Sequence, residues 1–148
     1  MDIEQEVSAF LAICRTAALA TVDGEGRPHG ANVQYVSDGR WRLSWVSSAS
    51  AAHSVHLGER AACAATVYAH DDRPEMIHGV QLRGEAELVT GDERRRVLDL
   101  YRGKFSFVAD EPYATAIEKQ GVYRLTPTWL RWIDNRRGFG FKVEQTLS

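Results

Sequence analysis

The side chains of this chain best able to do chemistry are its five histidines and two cysteines. His53-x-x-His56 sets two imidazoles three residues apart, close enough to share a helix face, and His70-Asp71-Asp72 and His78 follow. Residues of these types hold zinc when four converge on one ion. Nothing else here stands at zinc-ligand spacing, so the histidines are expected to be structural or exposed, and no metal is assigned. Cys14 and Cys63 lie far apart, each inside an apolar run, as small buried thiols do. Cys63 has no base near it in sequence and is not expected to act as a nucleophile. Gly24-Glu-Gly26 is a turn, because the third glycine and the following helix of a dinucleotide fingerprint are missing. No nucleophile elbow or P-loop occurs. Arg94-Arg95-Arg96 reads as a solvated helix face balanced by Asp92, Glu93 and Asp99, with no phosphate role.

These residues must be positioned by an ordinary globular chain. It has 148 residues, 44% hydrophobic and 26% charged, with 18 Lys and Arg against 20 Asp and Glu. That composition excludes disorder, collagen and coiled coil. The net charge of −2 supplies no global field for nucleic acid or an anionic membrane, and neither is expected as a partner. The opening Met1-Asp2-Ile3-Glu4-Gln5-Glu6 is acidic where a secretory signal is basic. The longest charge-free stretch, Leu43 to Gly58, is too short and polar to span a bilayer. With only two, separated cysteines, a cytoplasmic, reducing compartment is expected.

Val7, Phe10, Leu11 and Cys14 recur at helical spacing behind Asp2, which predicts a helix over 2–16. Strands are predicted over 17–22, 28–37, 41–46 and 61–68, with turns at Asp23-Gly24-Glu25-Gly26 and Asp38-Gly39. Trp41, Leu43 and Trp45 share one face of the third. From Met76 to Val89 apolar residues recur at even spacing (Met76, Val80, Leu82), broken by Gly79 and Gly84, a pattern that marks a bulge. Thr90-Gly-Asp-Glu93 has capping-box spacing and opens a helix burying Val97, Leu98, Tyr101 and Phe105. A short helix around 113–119 precedes strands over 122–133 and 139–143. The expected fold is mainly β: an antiparallel barrel of six or more strands with peripheral helices, in one domain over 1–148.

The order of the segments adds a resemblance. Leu19-Ala-Thr-Val-Asp, Pro28-His-Gly-Ala-Asn-Val-Gln-Tyr-Val, a Trp-bearing strand, Ser47-Ser-Ala-Ser-Ala-Ala-His53, Ile77-His-Gly-Val-Gln-Leu-Arg-Gly84 and Trp132-Ile-Asp-Asn-Arg-Arg-Gly-Phe-Gly-Phe141 together resemble the pyridoxamine 5'-phosphate oxidase-like split-barrel flavoproteins, in a small uncharacterised bacterial branch. The resemblance covers nearly the whole chain. It implies a Greek-key split barrel, a homodimer, and FMN bound in clefts at the subunit interface.

An FMN phosphate needs several hydrogen-bond donors and preferably a cation, and a loop entering a helix N-terminus supplies N–H groups and a favourable dipole. By the resemblance Ser47, Ser48, Ser50 and His53 form that loop. Better-known members carry a Ser followed by an Arg-Lys pair; here Ala51-Ala52-His53 matches, so His53 replaces the second cation and the Arg is absent. Weaker, more pH-sensitive FMN binding follows, because imidazole titrates near neutrality and guanidinium does not. The resemblance also assigns Asn32, Val33, Gln34 and Tyr35 to the flavin edge, Trp45 and Val46 beneath it, and Gln81, Asn135 and Phe139 to its completion, the last two from the partner subunit. The function implied is an FMN-dependent oxidoreductase acting on a small-molecule electron donor or acceptor, in which the flavin supplies the chemistry. Oxidation of pyridoxamine phosphate itself is disfavoured, since no C-terminal Arg-rich segment is present. The alternatives are a haem or deazaflavin in the same cleft, and a binding protein without catalysis.

Overall fold

A computed structural model describes residues 2–148; Met1, which begins the acidic N-terminal stretch, lies outside the described residues. Asp2 accepts a hydrogen bond from the Gln5 N–H and so caps α1 (Ile3–Ile13), whose Val7 and Leu11 are fully buried. The chain then becomes strand, with burial alternating residue by residue through β1 (Thr16–Val22) and the inner part of β2 (Pro28–Ser37). This period of two places Ala17, Leu19 and Thr21 inside and leaves Thr16, Ala18 and Ala20 outside. β3 (Leu43–Ser47), α2 (Ala52–Glu59) and β4 (Ala62–Tyr68) follow. Then come β5 (His78–Val89), α3 (Gly91–Lys104), α4 (Tyr113–Lys119), β6 (Gly121–Asp134) and β7 (Lys142–Thr146), with short 3-10 turns between.

The strands lie in the order β3-β2-β1-β4-β5-β6-β7, and β3 also pairs with β6, which closes a six-stranded antiparallel barrel. α2 makes the Greek-key crossing that carries the chain from β3 to β4 beside β1. β6 is the key strand. Its residues 122–134 pair along one edge with β5, while the other edge is divided between β3 at 121–125 and β7 at 129–133. The change of partner falls at Pro127, which has no N–H to give a ladder, and the register against β5 shifts there between Arg83 and Gly84. The bulge expected at Gly84 is therefore present, and it splits the barrel.

The barrel interior holds Trp45, Trp132, Tyr35, Leu19, Leu43 and Leu82, each under 2% exposed or close to it. At about 1.5–3 kcal/mol for burying one large apolar side chain, this set supplies much of the driving force for closure. A second cluster forms outside, where Val97, Leu98, Tyr101 and Phe105 of α3 pack on Val36, Val89 and Val122. The helical stripe thus buries the residues its spacing predicts.

Four expectations differ in detail. Thr90 precedes α3 without a side-chain capping bond, and the Glu93 carboxylate pairs with Arg96 at 2.8 Å and Arg124 at 3.1 Å instead of turning back to the Thr90 N–H. Met76 falls in a 3-10 turn before β5. The third strand begins at Leu43, since Trp41 belongs to the preceding turn with φ of 61°. The last strand is Lys142–Thr146; residues 138–140 form a turn in which Gly138 and Gly140 take positive φ, a conformation closed to a strand.

Candidate functional site

α2 begins without a cap. Ala51 stands at its N-cap and has no side chain able to accept, so the helix presents its first amides unsatisfied. The loop ahead of it is ordered by its own hydroxyls: Ser48 Oγ lies 2.9 Å from Ser50 Oγ and accepts from the Ser50 N–H at 3.2 Å. Ser47, the last residue of β3, is buried, with its Oγ 2.8 Å from Nε2 of His53. Hydroxyls, free amides and an imidazole therefore meet at one helix end, the arrangement that binds phosphate.

The loop also gathers residues that the resemblance does not assign. His56, one turn after His53, places Nδ1 3.0 Å from the buried Thr21 Oγ1, and its ring meets that of His29 edge-to-face at 5.3 Å. Burial first, and then His29 and His56 close by, hold His53 below the usual imidazole range, which disfavours its charged form. Ser54 is buried with no partner for its Oγ. The spacing His53-x-x-His56 was the one visible trace of this cluster. Thr21 and His29 join it only through β1–β2 pairing, in which they face each other. Among the described residues no three His, Cys, Asp or Glu side chains converge as a metal site requires.

The flavin-edge residues divide by strand parity. Asn32 and Gln34 point outward from β2, whereas Val33 and Tyr35 face the core; the Tyr35 hydroxyl donates to the Leu11 carbonyl at 2.7 Å. Val33 and Tyr35 can offer a ligand only their backbone. Trp45 is likewise interior, stacked on Tyr123 at 6.3 Å, while Val46 is half-buried on the opposite face against the α3 cluster. Gln81 points outward, and its Oε1 accepts from Arg131 at 3.3 Å. Register aligns Asn32, Ala18, Thr66, Gln81, Arg131 and Glu144 in one row across the outer face of β2-β1-β4-β5-β6-β7. The neighbouring row runs Gly30, Ala20, Ala64 and Arg83. The middle of this face carries small side chains, Ala18, Ala20 and Ala64, with polar groups along it.

Asn135 and Phe139 are not brought to the loop. Ser47 pairs with Gly121 at the start of β6, and Asn135 follows its end, where it donates to the Pro74 carbonyl at 2.9 Å and accepts from the Gly140 N–H at 3.1 Å. Phe139 stands in the adjoining turn, 93% exposed and without a packing partner in its own chain.

A closed six-stranded antiparallel barrel, split where β6 changes partner from β3 to β7, defines the class of split-barrel proteins. The chain belongs to the pyridoxamine 5'-phosphate oxidase family, whose model matches residues 3–134. Among relatives, a UPF0306 protein of Klebsiella pneumoniae (strain 342) is 33% identical over 91 residues, 62% of this chain and 57% of that protein. Alignment with it thus spans little more than half its length. A UPF0306 protein of Serratia proteamaculans is 28% identical over 145 residues, covering 97% of this chain and 94% of the other. Among solved structures, a heme binding protein from Mycobacterium smegmatis superposes with TM-score 0.82 at 21% identity, over 99% of this chain and 58% of that one. HutZ, the heme storage protein from Vibrio cholerae, does so with TM-score 0.71 at 20% identity, over 86% and 91%. These two share the fold. No helix among the described residues is long and apolar enough to cross a membrane.

Proposed function

We propose that this protein binds FMN and serves as a flavin-dependent oxidoreductase, with two chains joined through the outer face of the sheet. The observation that carries this reading is the uncapped α2 N-terminus, whose free amides stand beside Ser47, Ser48, Ser50 and His53. The phosphate is held there by N–H and O–H donors. Asn32, Gln34 and Gln81 would be the polar neighbours of the isoalloxazine on the small-residue face, with the second chain as the opposite wall. Bound FMN supplies the hydride or electron transfer; the chain's residues bind, orient and shield it. A purified sample mixed with excess FMN and then freed of unbound ligand retains a flavin spectrum on this reading. A colourless product removes it. Retained FMN that no NADH, NADPH or electron acceptor can turn over would make the protein a flavin carrier without catalysis.

One observation favours haem as a second reading. His78 Nδ1 is bonded to the Met76 carbonyl at 2.8 Å, which leaves Nε2 free. The ring stands between Phe10 at 5.3 Å and Trp132 at 6.1 Å, in a hollow of about 370 Å³ also lined by Ile13, Cys14 and Arg136. An imidazole with a fixed tautomer and apolar walls would suit holding a haem iron. Addition of hemin followed by desalting distinguishes the two, because a retained Soret band lost in His78→Ala supports haem and its absence discards it.

A further inference from the structure

We propose that the cluster of His29, His53 and His56 makes the phosphate grip proton-coupled: a phosphomonoester dianion binds together with one proton, taken up at His53. This rests on the phosphate-loop reading above and adds to it a charge that the loop otherwise lacks.

The three rings come from two elements and close on one another. His53 and His56 lie one turn apart on α2, and His29 reaches them from β2. The groups around them are neutral: Thr21 from β1, Ser47 from β3, Ser48 and Ser50 from the loop, and Ser54 from α2, itself only 5% exposed. Charges on the same helix sit at its far end. Arg60 donates to the Gly24 carbonyl at 3.1 Å, and Glu59 approaches Gly24 in the β1–β2 turn, where Asp23 pairs with Arg27. On β5, which also packs on α2, Glu85 and Glu87 are exposed. Among the described residues no carboxylate oxygen comes within 4.0 Å of a nitrogen of any of the three rings.

Partial burial disfavours a charge at His53, and the nearness of the His29 and His56 rings, with no counter-ion beside them, adds to that. A dianion at the α2 N-terminus reverses that balance, because its charge falls directly on the ring next to it. The Ser47 hydroxyl, 2.8 Å away, can accept from the Nε2–H and fixes the ring in place for either state. A family member with Arg and Lys at this turn carries its charge permanently; this chain must acquire one with the ligand. The Ser54 Oγ, next in sequence and in the first turn of α2, is buried and unpartnered.

The test is the dissociation constant of FMN and of riboflavin, which has no phosphate, across about pH 6.5–8.5, with calorimetry in two buffers of different ionisation heat. Wild type is expected to take up about one proton with FMN and to lose affinity with rising pH by up to about tenfold per unit. Riboflavin binding stays flat. His53→Gln, which keeps a partner for Ser47, binds FMN weakly at every pH, and His53→Lys binds it tightly with no slope. A flat wild-type profile without proton uptake, or a slope that survives in His53→Gln, overturns the coupling while leaving FMN binding intact. FMN binding no tighter than riboflavin at any pH would instead remove the phosphate site, and the coupling with it.

Discussion

Gly84 of β5 stands opposite Pro127 of β6, and a β-carbon built on it would lie 2.8 Å from the proline Cα and closer still to the Thr126 carbonyl oxygen. Both obstacles are backbone, so nothing can swing aside. This contact lies where the outer edge of β6 passes from β3 to β7, and the absent side chain at 84 lets the two strands cross that point in contact. Gly84→Ala is expected to cost about 3 kcal/mol or more, above the usual range for overpacking because the clash is with main chain. Urea unfolding measures it, and a loss under about 1 kcal/mol would show that the bulge relaxes freely.

A fixed cation at the helix start is what the loop lacks. Ala52 is the first residue of α2 and exposed, so an arginine there meets solvent and any bound phosphate without disturbing the core. Ala52→Arg is expected to tighten FMN about tenfold, the worth of one charge-assisted hydrogen bond. Quenching of flavin fluorescence during titration reads the change. Equal affinity would place the phosphate elsewhere.

The proposed subunit interface can be tested at its centre. Ala18 is exposed and stands in register between Asn32 and Thr66 on the outer face. Ala18→Arg places a charge there without touching the barrel interior. Sedimentation of the wild type should give twice the monomer mass and the variant one, with flavin binding lost alongside. A wild type that sediments as a monomer would leave this face without the second wall.

Lys104 offers a prediction independent of any ligand. Its ammonium donates to the Cys14 carbonyl and lies 4.4 Å from the centre of the Tyr35 ring, and Arg15, 4.7 Å above Phe105, packs beside it. Burial first, and then Arg15, bring its pKa down to about 8. Between that value and the ordinary lysine range the unfolded chain holds a proton that the folded chain has released. This group's contribution therefore favours folding increasingly as pH rises through that window. Limiting acylation near pH 8 is expected to modify Lys104 before Lys119 and Lys142, as read by peptide mass. Preferential labelling of either exposed lysine would show the ammonium to be fully solvated.

What could be read from residues in order was whatever depends on near neighbours. The period of two in 17–22 and 28–37, the helical spacing of Val97, Leu98, Tyr101 and Phe105, and the glycine at 84 each act within a few residues, and the strands, helix and bulge appear where those signals stand. The capping-box reading failed at Thr90, where Arg124 of β6 takes the Glu93 carboxylate, and the strand reading failed at Phe139, whose two flanking glycines form a turn. The phosphate loop was legible as Ser47 to His53 because its parts are contiguous. The imidazole cluster was not, since His29 and Thr21 reach His53 and His56 only after β1 pairs with β2 and α2 closes over the barrel end. The lowered pKa of His53 belongs largely to that same level: its largest cause is the burial that only closure of the barrel creates, and of the two imidazoles that add to it His29 comes from a strand more than twenty residues away, with only His56 near in sequence.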